Sequence, residues 1–196
     1  MGDHVNQVLT RVIDPTSRIV TVAEMKAHLR VDTSDHNEKI LELIEMAERH
    51  IDGLEGVIGR AVRVQTWRTH ARAFPGEVGT ISRFYRDHQL GFPVWRLPLP
   101  PTIAVNSITY VDSTGTVQTW DAANYEVIPD GFRGAIVKPI SGVNWPSVRN
   151  EQPDGARIEF RAGYESLDSP QTEVVPPPLR AAVVMMVHSW YDNPAQ

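Results

Sequence analysis

The chain has no cysteine among its 196 residues. That excludes disulfides and thiolate metal sites, and it fits a reducing compartment. It also has no long hydrophobic run. Ala181 to Val187 is apolar throughout, but Arg180 and His188 bound it, and a membrane span needs about 20 such residues. The opening MGDHVNQVLTRVIDP has no apolar h-region, so no secretory signal is expected. MGDHVN also lacks the Ser or Thr that a myristoylation motif requires. There is no internal repeat and no low-complexity segment. Lysine is scarce, because arginine supplies 16 of the 19 Lys and Arg residues. The net charge of -5 gives no overall attraction to nucleic acid.

Chemical motifs are missing as well. Neither G-x-x-x-x-G-K-[ST] nor G-x-G-x-x-G occurs. GVIGRA (56–61) follows a helical pattern and leads into a strand pattern, which is the wrong context for a phosphate cradle. The seven histidines are His4, His28, His36, His50, His70, His88 and His188, and no two have H-x-x-x-H spacing. A metal site is therefore not expected. Ser82, Ser107 and Ser189 lack a G-x-S-x-G elbow. The reading is of a chain that is not an enzyme and carries no cofactor.

What is present is periodicity. Thr21-Val-Ala-Glu24 has the form of a capping box, and Val22, Met25 and Leu29 give a short helix its apolar side. Ser34 or Asp35 is a good N-cap for a second helix, with Glu38 completing a box. There Ile40, Ile44, Ala47, Ile51 and Leu54 share one face. Glu38, Glu42, Glu45, Arg49 and Asp52 share the opposite face. Such carboxylates can be imagined as acid and base pairs, but a solvated face is the ordinary reading.

Beyond Gly59 the pattern becomes strand-like. Residues 62–74 alternate, 107–120 reads as a hairpin turning at Asp112 to Gly115, 125–138 as a second hairpin, and 156–164 as a further strand. Pro177 or Pro178 then suits the first turn of a closing helix. Its stripes are Leu179, Val183, Met186, Trp190 and Arg180, Val184, Val187, Tyr191. Asn193-Pro194 stops it. The expected class is α+β. A three-helix core (21–59 and 176–196) carries a large antiparallel β-rich insertion (60–175), preceded by an arm or loose strand (1–20).

Charge is uneven. Residues 21–56 hold nine acids and four bases, whereas 60–96 hold seven arginines and two acids. Arginine is favoured where directional pairing is wanted, including at interfaces. The basic stretch, with Trp67, Phe84, Tyr85 and Trp95, also has residues that suit nucleic acid. Alternation sends side chains to both faces of a sheet, so protein contact is the preferred reading. Opposite charge at two ends and an apolar terminal helix suit a chain that stacks against other chains.

The order of these pieces resembles the head–tail connector (adaptor or head-completion) proteins of tailed phages and phage-derived gene transfer agents. Lys26 to Asp32 resembles a helix ending K-x-H-L-R-V-D. Asn37 to Ala47 resembles an acid-rich D-x-x-I-x-x-L-I-x-x-A helix. Gly59 to Trp67 resembles G-R-x-x-x-x-Q-T-W. LPLPPTIAVNSITYVDSTGTVQTWDAANYEV resembles the family's proline-led hairpin, and RIEFRAGY with VPPPLRAAVVMMVHSWYDN its closing strand and helix. The resemblance runs from about Ile19 to the end.

It implies a structural ring of twelve copies at the neck of a virion or phage-like particle, assembled in the bacterial cytoplasm. The implied partners are the portal protein, the stopper or tail terminator, further copies of the chain, and DNA passing without sequence specificity. No membrane is involved. His188, Trp190, Tyr191, Asp192 and Asn193 become the portal-binding segment. Glu38, Glu42, Glu45 and Asp52 become a channel lining that repels phosphates. Arg63, Arg68, Arg72, Arg83 and Arg86 become contacts to neighbouring subunits or rings. The competing reading is a β-rich, tail-associated module binding a receptor or glycan, with Trp95, Trp120 and Trp145 as its surface aromatics.

Overall fold

The computed structural model describes residues 8–75, 94–149, 152–166 and 172–193. Thr21 and Glu24 open the first helix with a complete capping box. The Thr21 hydroxyl accepts from the Glu24 N–H at 3.2 Å, and the Glu24 carboxylate accepts from the Thr21 N–H at 2.8 Å. Helix α1 (Val22–Leu29) ends where Arg30 turns left-handed at φ 58. Helix α2 spans Asn37–Ile51 and α3 spans Pro177–Asp192. The strands are β1 (Val8–Ile13), β2 (Gln65–Ala71), β3 (Trp95–Leu97), β4 (Thr102–Val111), β5 (Val117–Thr119), β6 (Tyr125–Pro129), β7 (Ala135–Pro139) and β8 (Ala156–Ala162). All strand pairs among the described residues are antiparallel, and the class is α+β.

The chain forms two units. One combines Met1–Asp14 with Gln65–Ala162, and the other combines Pro15–Val64 with Gly163–Gln196. In the second, helical unit, the three helices share one core. Ile40, Ile44, Ala47 and Ile51 of α2 meet Met25 of α1, Val183 and Val187 of α3, and Ile19, Val20 and Val62 from the connections. Full burial of an aliphatic side chain contributes roughly 1.5–3 kcal/mol each.

Two details of α2 differ from the sequence reading. Neither Ser34 nor Asp35 caps it, because a turn from the Ser34 carbonyl to the Asn37 N–H moves the start to Asn37, and His36 holds the cap position. Leu54 leaves the apolar face and is 55% exposed. The helix ends at Ile51, and Asp52 takes extended backbone, which breaks the 3.6-residue period.

The other unit is made of two sheets. Five strands run in the order β1-β2-β8-β4-β5 and three in the order β3-β7-β6. Period two puts Trp67, Thr69 and Ala71 on one face, opposite Phe160, Ile158 and Ala156 of β8. That face is buried. Phe74 anchors an aromatic cluster, stacked on Trp145 at 4.7 Å and edge-on to Trp95 at 5.7 Å. Trp95 is fully buried and Trp120 is 8% exposed, so neither is a surface aromatic. They fill the interior because a small β unit needs large side chains to close its core.

Candidate functional site

The closing helix presents two different surfaces. Val183 and Val187 are buried, and Leu179, Val184, Met186, Trp190 and Tyr191 pack against the same core. Arg180 ties the start of the helix down, donating to the Ile19 carbonyl at 2.8 Å and to Glu24 at 2.7 Å. The Glu24 carboxyl is consequently held at about 2, first by the Thr21 N–H and hydroxyl and then by Arg180.

At the other end Tyr191 bonds His36 Nδ1 through its hydroxyl at 2.9 Å, and Lys39 lies 4.5 Å from its ring centre. Trp190 meets the edge of His50 at 6.4 Å. The two aromatics are therefore half-buried against α2, which limits what they can offer a partner. His188, Asp192 and Asn193 are exposed, with His188 and Asp192 3.1 Å apart across one helical turn.

The carboxylates of α2 divide in the same way. Glu38 and Glu42 are exposed, and Glu45 is half-buried and paired with Arg18. Asp52 does not belong with them. It is 4% exposed, and its carboxylate accepts from Arg63 Nε at 2.8 Å and from the Val62 N–H at 2.7 Å. Arg63 is correspondingly buried, so neither charge is presented to a channel or to a neighbouring subunit. An unpaired buried charge would be costly, and each neutralises the other. Arg68 and Arg72 are exposed, Arg68 being paired with Glu159 at 2.9 Å. Arg83 and Arg86 lie outside the described residues.

The sequence reading missed the residue that organises this region. Glu48 is 1% exposed and accepts from the Ile19 N–H at 2.6 Å, Arg63 Nη1 at 2.8 Å and Arg18 Nη1 at 3.3 Å. Arg63 also donates to the Ser17 carbonyl. Nearby, Glu173 accepts from the Ser17 hydroxyl at 2.6 Å and the Val64 N–H at 3.1 Å. Three carboxylates thus hold the segments at 17–19 and 62–64 together. Gly163 completes the arrangement at φ +135, since a Cβ there would sit 2.4 Å from the Arg63 carbonyl oxygen. The available signal was position: Glu48 follows Ile44 by four residues, on the border of the buried stripe.

Among the described residues no group of three or more His, Asp or Glu is placed to hold a metal ion. No helix among them is long and apolar enough to cross a membrane.

No protein-family model matches the chain, and no curated protein matches it in sequence. Solved structures match in fold. A chain in the neck of an empty gene transfer agent (GTA) particle, computed with C6 symmetry, is similar with a TM-score of 0.65 and 22% identity, over 96% of this chain and 86% of that one. A chain in the neck of the native particle, computed with C12 symmetry, gives 0.60 and 20% over 96% and 85%. A chain of the virion of the native particle gives 0.63 and 21% over 94% and 84%. The protein shares its fold, nearly end to end, with chains of gene transfer agent necks.

Proposed function

We propose that this chain is a structural head–tail adaptor of a phage-like particle. Copies, twelve in number, form a ring under the portal, join it to the stopper or tail terminator, and extend the DNA channel. The observation that carries this reading is the shared fold over 96% of the chain with neck chains of particles solved with C6 and C12 symmetry. In this reading the chain has no catalytic step. It is assembled in the bacterial cytoplasm and works in the particle neck.

Docking to the portal falls to the exposed end of α3. His188, Asp192 and Asn193 make the contacts, with Trp190 and Tyr191 holding that end against α2. Glu38 and Glu42, with Glu45 beside them, face the lumen, where like charge keeps DNA from sticking. Arg68 and Arg72 contribute charge to neighbouring subunits or rings, where complementarity sets register.

The test is to mix the purified chain with the portal ring of the same particle and image by negative-stain electron microscopy. The expected result is an added layer below the portal. Removing everything after Val187 is a poor test alone, since it also strips Trp190 and Tyr191 from the core. A His188→Glu, Asp192→Lys, Asn193→Ala variant leaves that packing intact and should lose the layer. A layer unaffected by these changes rejects the docking site. A folded chain that never forms a layer rejects the adaptor reading.

A further inference from the structure

Helix α3 carries its charges against its own dipole. The amino-terminal end of a helix is positive and the carboxyl-terminal end negative. Arg180 nevertheless stands near the start of α3, and Asp192 is its last residue, with no basic residue in the last turn. Arg180 is accounted for within the chain, since it binds Glu24 and the Ile19 carbonyl. Asp192 is not. Its one ion-pair partner among the described residues is His188, 3.1 Å away and charged only when protonated. Lys39, a cation of α2, is turned onto the Tyr191 ring instead.

The same end of α3 is rich in acceptors. The Ser189 carbonyl is taken by the Asn193 N–H and by the Asn193 side-chain amide, both at 3.0 Å. The carbonyls of Trp190, Tyr191 and Asp192 meet no donor among the described residues. Pro194 follows and has no N–H to offer the Trp190 carbonyl. The Asp192 carboxylate, 58% exposed, joins these carbonyls in a negative end made of acceptors.

We infer that this end of α3 receives a guanidinium group, an arginine side chain of the portal. The inference rests on the docking reading above and names the chemistry of what docks. A guanidinium has five donors and no acceptor in a planar fork, which suits a carboxylate with carbonyls beside it. Its charge also meets the negative end of the helix dipole. Lysine offers a point charge instead. A carboxylate opposes the dipole in the free chain, and the partner's cation offsets that on docking.

The test binds the purified chain to immobilised portal rings of the same particle. Asp192→Asn should weaken docking roughly 10-fold or more, as loss of one charged hydrogen-bond partner does. Its unfolding temperature should stay unchanged or rise, because an anion leaves the negative end of a helix. Docking of the native chain should weaken with rising salt, and docking of the variant should do so less. Blocking the arginines of the portal ring with phenylglyoxal should abolish docking, whereas acetylating its lysines should not, with microscopy confirming that the treated rings are intact. Unchanged affinity of Asp192→Asn overturns the inference, as does salt-independent docking of the native chain. A fall in the unfolding temperature of the variant also overturns it, by making Asp192 a structural residue. Docking kept after arginine blocking, lost after lysine acetylation, or lost in EDTA, where a metal ion would be the cation, overturns it as well. In each of these cases the untreated native chain still docks, and the adaptor reading stands. A native chain that never docks overturns both.

Discussion

Glu48 and Arg63 show how much a single side chain decides here. Both are buried with their charges facing each other and Asp52 beside them. Removing one partner strands the others, so Arg63→Ala should lower stability by about 3–5 kcal/mol in urea titration. Arg68→Ala removes an exposed pair and should cost about 1 kcal/mol or less. Equal losses in the two variants would contradict the burial argument. Glu24 gives a pH signature. Its folded carboxyl sits at about 2 against an ordinary 4.5. The stabilisation is therefore present above about 4.5 and is lost as pH falls toward 2. Glu24→Gln should be less stable than the native chain near neutrality, and the gap should close on acidification through that window. Thermal melts across the range check this, and a gap that stays constant would reject it.

Among the elements, α2 was the most legible. Its apolar residues at 40, 44, 47 and 51 repeat at helical spacing, and all four are buried. Ile44→Ala should therefore cost about 2–5 kcal/mol, while Met46→Ala, two residues away and exposed, should change stability by less than about 0.5 kcal/mol. Guanidinium unfolding of both variants tests whether the face assignment holds. The hairpin turning at Asp112 was also legible. Its carboxylate accepts from the Thr114 and Thr116 N–H groups, and Gly115 takes φ +88. The end of α2 was not legible. Leu54 and Asp52 continue the helical period in the sequence, but the backbone leaves the helix at Asp52, where its carboxylate caps the Val62 N–H and pairs Arg63. A partner eleven residues away cannot be seen in a local period.

For the molecule as a whole, much of the element order was readable because local signals mark several boundaries, although β1 was read only as an arm or loose strand and the short β3 was not read. The capping box marks α1, the turn residues mark the hairpins, and Pro177 with Asn193 brackets α3. The likeness to neck chains over 96% of the length agrees with that order. Which charged groups are available to other molecules was not readable. Glu38, Glu42 and Asp52 look equivalent along the helix, yet two are exposed and the third is buried. Phe132 and Trp120 are both aromatics in the β region, yet one projects and the other lies in the core. Local spacing and turn chemistry set where helices and strands form, since those depend on neighbours a few residues apart. Only the tertiary fold decided which side chains were desolvated and paired, because that depends on contacts between segments such as 17–19, 48–52 and 62–64.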